Sequence, residues 1–226
     1  MALKVIVDVY EAVGGPSTKV MGADGYTMGP TDSGQYVIAS CGRHISRKTY
    51  PKWSRVPWGT SLKEDKGILK VFLRGKWQPL RMFTPAKKEE ILDYHQVLYK
   101  SRKIPKKWVF NDFGHITCYF FKDLDKDRKR DPNEKISPEH IHPTPLGEAQ
   151  TANKDPVILT ESHGCIHVKP EDIDAMRKKG YFKPGNSLYI HKYSENALLL
   201  PRGRGKPPFE VHFFPGPKKV IIKGKL

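Results

Sequence analysis

The chain has 226 residues, with 40 Lys and Arg against 24 Asp and Glu, for a formal net charge of +16. That length buries a real core in one elaborated domain or two small ones, and the charge favours an acidic partner (nucleic acid, anionic membrane or anionic wall polymer) without choosing among them. The bases are spread along the chain with no aromatic-basic signature of a nucleic-acid module, no run of about 18 apolar residues predicts a membrane span, and three cysteines, Cys41, Cys118 and Cys165, make no disulfide framework.

The opening "MALKVIVDVYEA" (1–12) is too short and too soon acidic for a secretory signal. Its alternation predicts a first strand. "GADGYTMGPTDSG" (22–34) reads as turns before a second strand in "QYVIASCG" (35–42), and residues 43–60 are aromatic, basic and irregular. "GILKVFLRGKWQPL" (67–80) alternates like a hairpin that turns at Gly75. A helix follows, capped by Thr84 with Pro85 in its first turn, and Ile91, Leu92, His95, Leu98 and Tyr99 share one face. "WVFNDFGHITCYFF" (108–121) resumes strand character, and residues 122–139 form a polar loop with six acids and six bases.

Within that loop Asp123, Asp125, Asp127, Asp131 and Glu134 fall at offsets 1, 3, 5, 9 and 12 of a calcium-loop pattern. Arg128 stands where the pattern needs glycine, and Arg128, Lys129 and Arg130 cancel much of the negative charge, so a solvated charged loop is the expectation. A second helix starts at Pro170, with Glu171 and Asp172 in its first turn, Arg177, Lys178 and Lys179 in its last, and Gly180 to end it. "NSLYIHKY" (186–193) is a strand after the Pro184-Gly185 turn. The tail is Pro/Gly-rich and basic, with strand-like "EVHFF" and "KKVIIKG". The many strand-like runs, with 19 Gly and 19 Pro, predict a mainly β fold.

Chemistry concentrates at "EHIHPTP" (139–145) and "ESHGCIHV" (161–168). An odd cysteine count leaves at least one thiol free, and Cys118 and Cys41 read as small buried apolar residues. Three readings of the cluster compete. His and thiolate on alternate strand positions would suit zinc, although their order matches no zinc motif. Cys165 would instead be a nucleophile activated by a histidine from "HIHPTP", with Gly164 admitting substrate and backbone N–H groups holding an oxyanion. The third reading is structural: histidines packed in a β core around a buried Cys.

"SHGCIHV" resembles the L,D-transpeptidase signature, Ser/Thr-His-Gly-Cys followed by an apolar residue and Arg or Asn. "GPTDSGQYVI" resembles the family's Thr-Pro-x-Gly-x-Phe/Tyr strand entry, "IHPT" its Ile-His-Gly-Thr, and "FKPGNSLYIHKY" its closing strand. The likeness covers roughly residues 3–193 with an insertion around 84–107, and leaves 194–226 as a basic C-terminal extension. It implies a mainly β, sandwich-like catalytic domain with short helices. It implies attack on a peptidoglycan stem peptide beside the third residue, a diamino acid, loss of the fourth D-residue and a thioester; an amine or water then completes transpeptidation, exchange or hydrolysis.

Carried over, Cys165 is the nucleophile and His142 the base, with His140 the lesser candidate. His163 and Gly164 shape the catalytic site, and Ser162, Thr144 and His167 touch substrate, His167 standing at the Arg or Asn position. No metal or cofactor is required. The expected partners are peptidoglycan stem peptides, with secretion machinery and an immunity protein if the chain is an antibacterial effector; nucleic acid and membrane insertion are not expected. The substrate lies in the periplasm or wall while the chain opens on a strand, which points to export by a specialised secretion system or to a trimmed mature chain. The rival classes are an inactive basic module binding wall polymer or nucleic acid, and a zinc hydrolase using the His/Cys cluster.

Overall fold

The computed structural model describes residues 3–45, 52–197 and 200–226. Met1 and Ala2, residues 46–51 of the irregular aromatic segment, and residues 198–199 lie outside that set. The chain divides into two compact units. One holds Met1–Cys41, Cys118–His142 and Leu159–Leu226, and the other Gly42–Thr117 and Pro143–Ile158.

In the first unit the predicted first strand is β1 (Lys4–Val13), and the turn-rich segment after it forms a small hairpin of β2 (Val20–Met21) and β3 (Thr27–Met28). The unit also contains β4 (Gly34–Gly42) except its last residue, and β8 (Thr117–Phe121) except its first. Its remaining strands are β9 (Ile141–His142), β10 (Ile166–Val168), β11 (Ser187–Ile190), β12 (Lys206–Phe214) and β13 (Lys219–Lys225). Eight of these close a barrel in the order β1-β10-β9-β8-β4-β11-β12-β13. β9–β10 and β11–β12 pair in parallel, and β1 pairs antiparallel with β10 and β13.

The mainly β expectation therefore holds, but the sheet closes where a sandwich was expected. The reason lies in the tail. Residues 206–225, read as an extension, insert as β12 and β13 between β11 and β1, so neither neighbour is left with an open edge. The first and last of these strands carry Val5, Ile6, Val220, Ile221 and Ile222, all buried.

Cys41 and Cys118 are not the separate apolar residues expected from sequence. They form a disulfide, with Cα atoms 4.0 Å apart, tying β4 to β8. Strand alternation could not reveal this, because the partners are 77 residues apart and meet only when the barrel closes.

Helix α3 (Pro170–Lys178) follows β10 as predicted, with Glu171 and Asp172 in its first turn and Arg177 and Lys178 in its last. It buries Ile173 and Met176.

The second unit is built on the antiparallel sheet β5 (Leu62–Asp65), β6 (Ile68–Leu73) and β7 (Lys76–Pro79), and on helices α1 (Lys88–Tyr99) and α2 (Pro145–Asn153). The turn at Gly75 is present: Arg74 and Gly75 both take positive φ, as a two-residue hairpin turn requires. α1 starts later than Thr84 predicts. Thr84 donates to Lys52 O at 2.6 Å, and Glu90 caps the helix by accepting from the Lys87 amide at 2.8 Å. Residues 108–116 are irregular, not a strand; Trp108 and Phe110 are fully buried beside Val56, Leu80 and Ile91. The buried Asn111 side chain donates from Nδ2 to Val56 O (3.0 Å) and His44 O (3.2 Å), replacing ladder bonds. α2 escaped the sequence reading because its apolar periodicity is weak. The supposed helical insertion is thus part of a unit much larger than 84–107.

Candidate active site

β9 and β10 lie side by side in parallel, with Ile166 opposite Ile141 and His167 opposite His142. Alternation puts Ile141 and Ile166, both fully buried, on one face. His140, His142, Cys165 and His167 share the other. The ladder extends one step further back, since the Ile166 amide donates to His140 O at 2.8 Å. Cys165 accordingly sits one residue before β10, beside His140, whose own amide donates to Sγ at 3.4 Å. Cys165 is half-buried and is the one cysteine outside the disulfide. Burial pushes its thiol up to about 12, the His140 amide opposes that rise, and Glu139 adds to it.

The loop before the sulfur is fixed by Ser162. Its hydroxyl accepts from the Gly164 amide at 3.0 Å and donates to Cys165 O, and its amide donates to Gly14 O at 3.1 Å. Ser162 is buried, so it holds the loop and does not present itself to substrate. Gly164 takes φ +125, open only to glycine at low cost. A Cβ there would lie 2.7 Å from Glu139 Oε1. The space expected to admit substrate is therefore occupied by a carboxylate. The amides of His163 and Cys165 make no hydrogen bond to protein among the described residues, which leaves both as donors for a developing oxyanion.

His163 is exposed and pairs with Asp24 at 3.2 Å, joining the β2–β3 hairpin to the Cys loop. His167, expected to touch substrate, is buried instead. Its Nδ1 donates to Thr160 O at 2.8 Å, which leaves Nε2 as the acceptor in the neutral ring. The ring stands edge-on to His142 with centroids 5.0 Å apart. Burial, the larger cause, holds His167 down at about 4, and His140 is held at about 4 for the same reason. Thr144 belongs to the second unit, where its hydroxyl caps α2 by accepting from the Gly147 amide at 3.1 Å.

Glu139 is the residue that sequence reasoning missed. Both its oxygens accept from the Asp32 amide (3.1 and 3.2 Å), so the "GPTDSG" entry reaches the site through backbone. Thr31 supports that entry by accepting from the Gly15 amide at 3.0 Å. Burial raises Glu139 to about 7, the Asp32 amide pulls it down and the Asp32 carboxylate adds to the rise. Nothing in "PEHIHP" distinguishes it from the other acids of the preceding loop.

Glu139 is thus uncharged below about pH 7 and above it places a negative charge beside Sγ. Glu139→Gln should raise the rate of Cys165 alkylation by iodoacetamide above pH 8 by about 3- to 10-fold, because the negative charge that opposes the thiolate is gone. An unchanged or slower rate removes Glu139 from the control of the thiol.

The buried histidines set a second expectation. His140, His167 and His212 all titrate near 4 when folded, below the 6.5 of an ordinary imidazole. Between those values the unfolded chain binds protons that the folded chain refuses, so stability is lost as pH falls through that window. Glu139 works in the opposite sense between 4.5 and about 7, and Asp112, Asp131 and Asp172, raised by burial, do so at the acid end, where the lowered Glu90, Glu195 and Glu210 act with the histidines. The thermal midpoint should fall from pH 6.5 to pH 4; a flat profile contradicts the buried neutral rings.

Among the described residues one group of acids, histidines or cysteines converges closely enough for a metal: Asp123, Asp125 and Glu134, with oxygens within 4.8 Å of one another. Glu134 is buried, and its oxygens accept from the amides of Leu124 (2.6 Å) and Asp131 (2.9 Å). These are hard oxygen donors, unlike the nitrogen and sulfur of a zinc site at Cys165.

No family model, no curated protein and no solved structure matches this chain.

Proposed function

We propose that the chain is a peptidoglycan L,D-transpeptidase or L,D-carboxypeptidase working through a thioester on Cys165. One arrangement carries the reading: a lone free thiol beside a left-handed glycine, with His142 on the same face of the adjacent parallel strand. The likeness of "SHGC" and "IHPT" to the L,D-transpeptidase motifs supplies the substrate class.

In this mechanism the thiol rests protonated, as its raised titration demands. His142 takes the proton as Sγ attacks the carbonyl of the third stem residue, and the C–S bond forms. The oxygen gains the negative charge and is held by the His163 and Cys165 amides. Collapse breaks the C–N bond, and His142 returns the proton to the departing amine of the D-residue. An amine acceptor or water then attacks the thioester, His142 taking its proton, and Cys165 is regenerated as the thiol. The acceptor alone decides between cross-linking, exchange and hydrolysis. His167, its Nδ1 fixed by Thr160, orients His142 and does not contact substrate.

The disulfide fits a protein that works in an oxidising compartment, which agrees with action in the periplasm or wall. The net charge of +16 favours retention on an anionic wall. An effector that consumes tetrapeptide donors in a neighbouring bacterium is the biological role we propose. Targeted to the periplasm of a test bacterium, the chain should then swell cells or stop growth; activity on muropeptides without any such defect leaves a housekeeping wall enzyme.

Incubating the protein with tetrapeptide muropeptides and identifying the products by mass tests the activity. Loss of the terminal D-residue, or its exchange, supports it. Inertness together with tight binding to sacculi returns the chain to a basic wall-binding module, which the raised thiol and its carboxylate neighbour would suit.

The two histidines should also separate. His142→Ala should lower turnover about 10²- to 10⁴-fold, the span of a general base. His140→Ala should cost less than about tenfold per folded molecule, because its amide contact to Sγ survives the change. Equal losses, or loss in His140→Ala alone, reassign the base.

A further inference from the structure

A second polar cluster lies on β11, β12 and β13. Register sets Tyr189 beside His212, and Glu210 beside Lys223. Glu195 Oε2 meets His191 Nδ1 at 2.8 Å, His191 Nε2 meets His212 Nδ1 at 3.0 Å, and His212 Nε2 meets Glu210 Oε2 at 3.4 Å. Lys4 Nζ donates to both Glu210 oxygens, at 2.7 and 3.0 Å. The cluster borders a groove of about 630 Å³ whose apolar walls include Leu3, Leu200, Pro201 and Tyr189. The wall is pinned to the barrel, because the Ile6 amide donates to Pro201 O at 2.9 Å and Gly203 returns a bond to Ile6 O.

Lys223 lines this groove with 6% of its surface exposed. Among the described residues its ammonium makes no hydrogen bond and no ion pair, and its neighbour Glu210 has both oxygens committed to Lys4. Burial pushes Lys223 below the ordinary lysine range, and the same cause keeps His212 neutral down to about 4. Two ammonium groups thus share the field of one carboxylate, whose direct ion pair goes to Lys4, so this wall of the groove carries a net positive charge. The stem of Lys223 is buried while its ammonium meets the groove, and an anion delivered there gains a charge-assisted hydrogen bond in partly desolvated surroundings. The volume falls in the range that takes a small organic ligand.

We infer that this groove binds a small molecule with a single carboxylate on an apolar chain, the carboxylate seated on Lys223 and the chain along Leu200 and Tyr189. The inference is independent of the chemistry at Cys165.

Calorimetric titration with octanoate, octanol and octylamine at neutral pH tests it. Octanoate should bind at least about tenfold more tightly than octanol, the worth of one charge-assisted hydrogen bond, and octylamine should not bind. Lys223→Met should erase the preference for octanoate while retaining octanol. Leu200→Trp, which fills the groove and leaves Lys223 in place, should lose octanoate. Cys165→Ala should bind it unchanged. Equal binding of octanoate and octanol, undiminished octanoate binding in Lys223→Met or in Leu200→Trp, loss of octanoate in Cys165→Ala, or no binding by any of the three compounds overturns the assignment.

Discussion

Cys165→Ala should abolish muropeptide conversion, with a loss of about 10⁵-fold or more, while the thermal midpoint moves by only a few degrees. The two halves of this expectation have separate causes. Without a nucleophile no thioester forms, and a neighbouring group that depends on that nucleophile has nothing to activate. Structurally the sulfur does little: it is half-buried and accepts one long bond from the His140 amide. The loop is held by Ser162, through the Gly164 amide, Cys165 O and Gly14 O, and by none of the sulfur's contacts. Turnover measured on muropeptides beside a thermal melt decides it. Native turnover in the alanine variant ends the nucleophile assignment. A variant that fails to fold would show instead that the sulfur is structural, and Cys165→Ser, which keeps the size and discards the thiolate, then carries the kinetic comparison.

The largest stability effect should come from the other two cysteines. Reduction, or the pair Cys41→Ala and Cys118→Ala, should cost up to about 4.5 kcal/mol on the chain-entropy account, given a separation of 77 residues. For a chain of this length that lowers the midpoint by roughly 9–18 °C. The bridge spans the root of the long segment that leaves the barrel at the end of β4 and returns at the start of β8, one residue beyond each cysteine. Without it the unfolded chain regains the freedom of that entire loop, and the β4–β8 pair loses its covalent tie. Thiol counting with and without denaturant, followed by melts with and without reductant, measures this. Three reactive thiols in protein made under oxidising conditions, or an unchanged midpoint on reduction, would remove the disulfide from the account.

Several elements were legible because their causes are local. β1, the Gly75 hairpin and α3 follow from alternation, a two-residue turn with positive φ, and a Pro-initiated helix whose charges oppose its dipole. Where local signals misled, a competing contact won. Thr84 holds the turn ahead of α1, accepting from the Ala86 amide while donating to Lys52 O, and residues 108–116 gain more by burying Trp108 and Phe110 around Asn111 than by forming a ladder.

At the candidate site, sequence by itself determined the composition: the free cysteine after a glycine, two histidines at each strand, and the offset-two spacing that places Cys165 with His167 and His140 with His142 on single faces. Only the tertiary structure decided what those residues face. The parallel register of β9 and β10 sets His142 beside His167 and the His140 amide on the sulfur. Barrel closure buries His167 and turns a tail into two staves. Glu139 takes the space beside Gly164 because a strand entry from residue 32 meets it there. Such contacts join residues from 25 to 107 positions apart in the chain. Sequence patterns constrain the direction of each side chain along its own strand, whereas the identity of its neighbour depends on which strands pair and in what register.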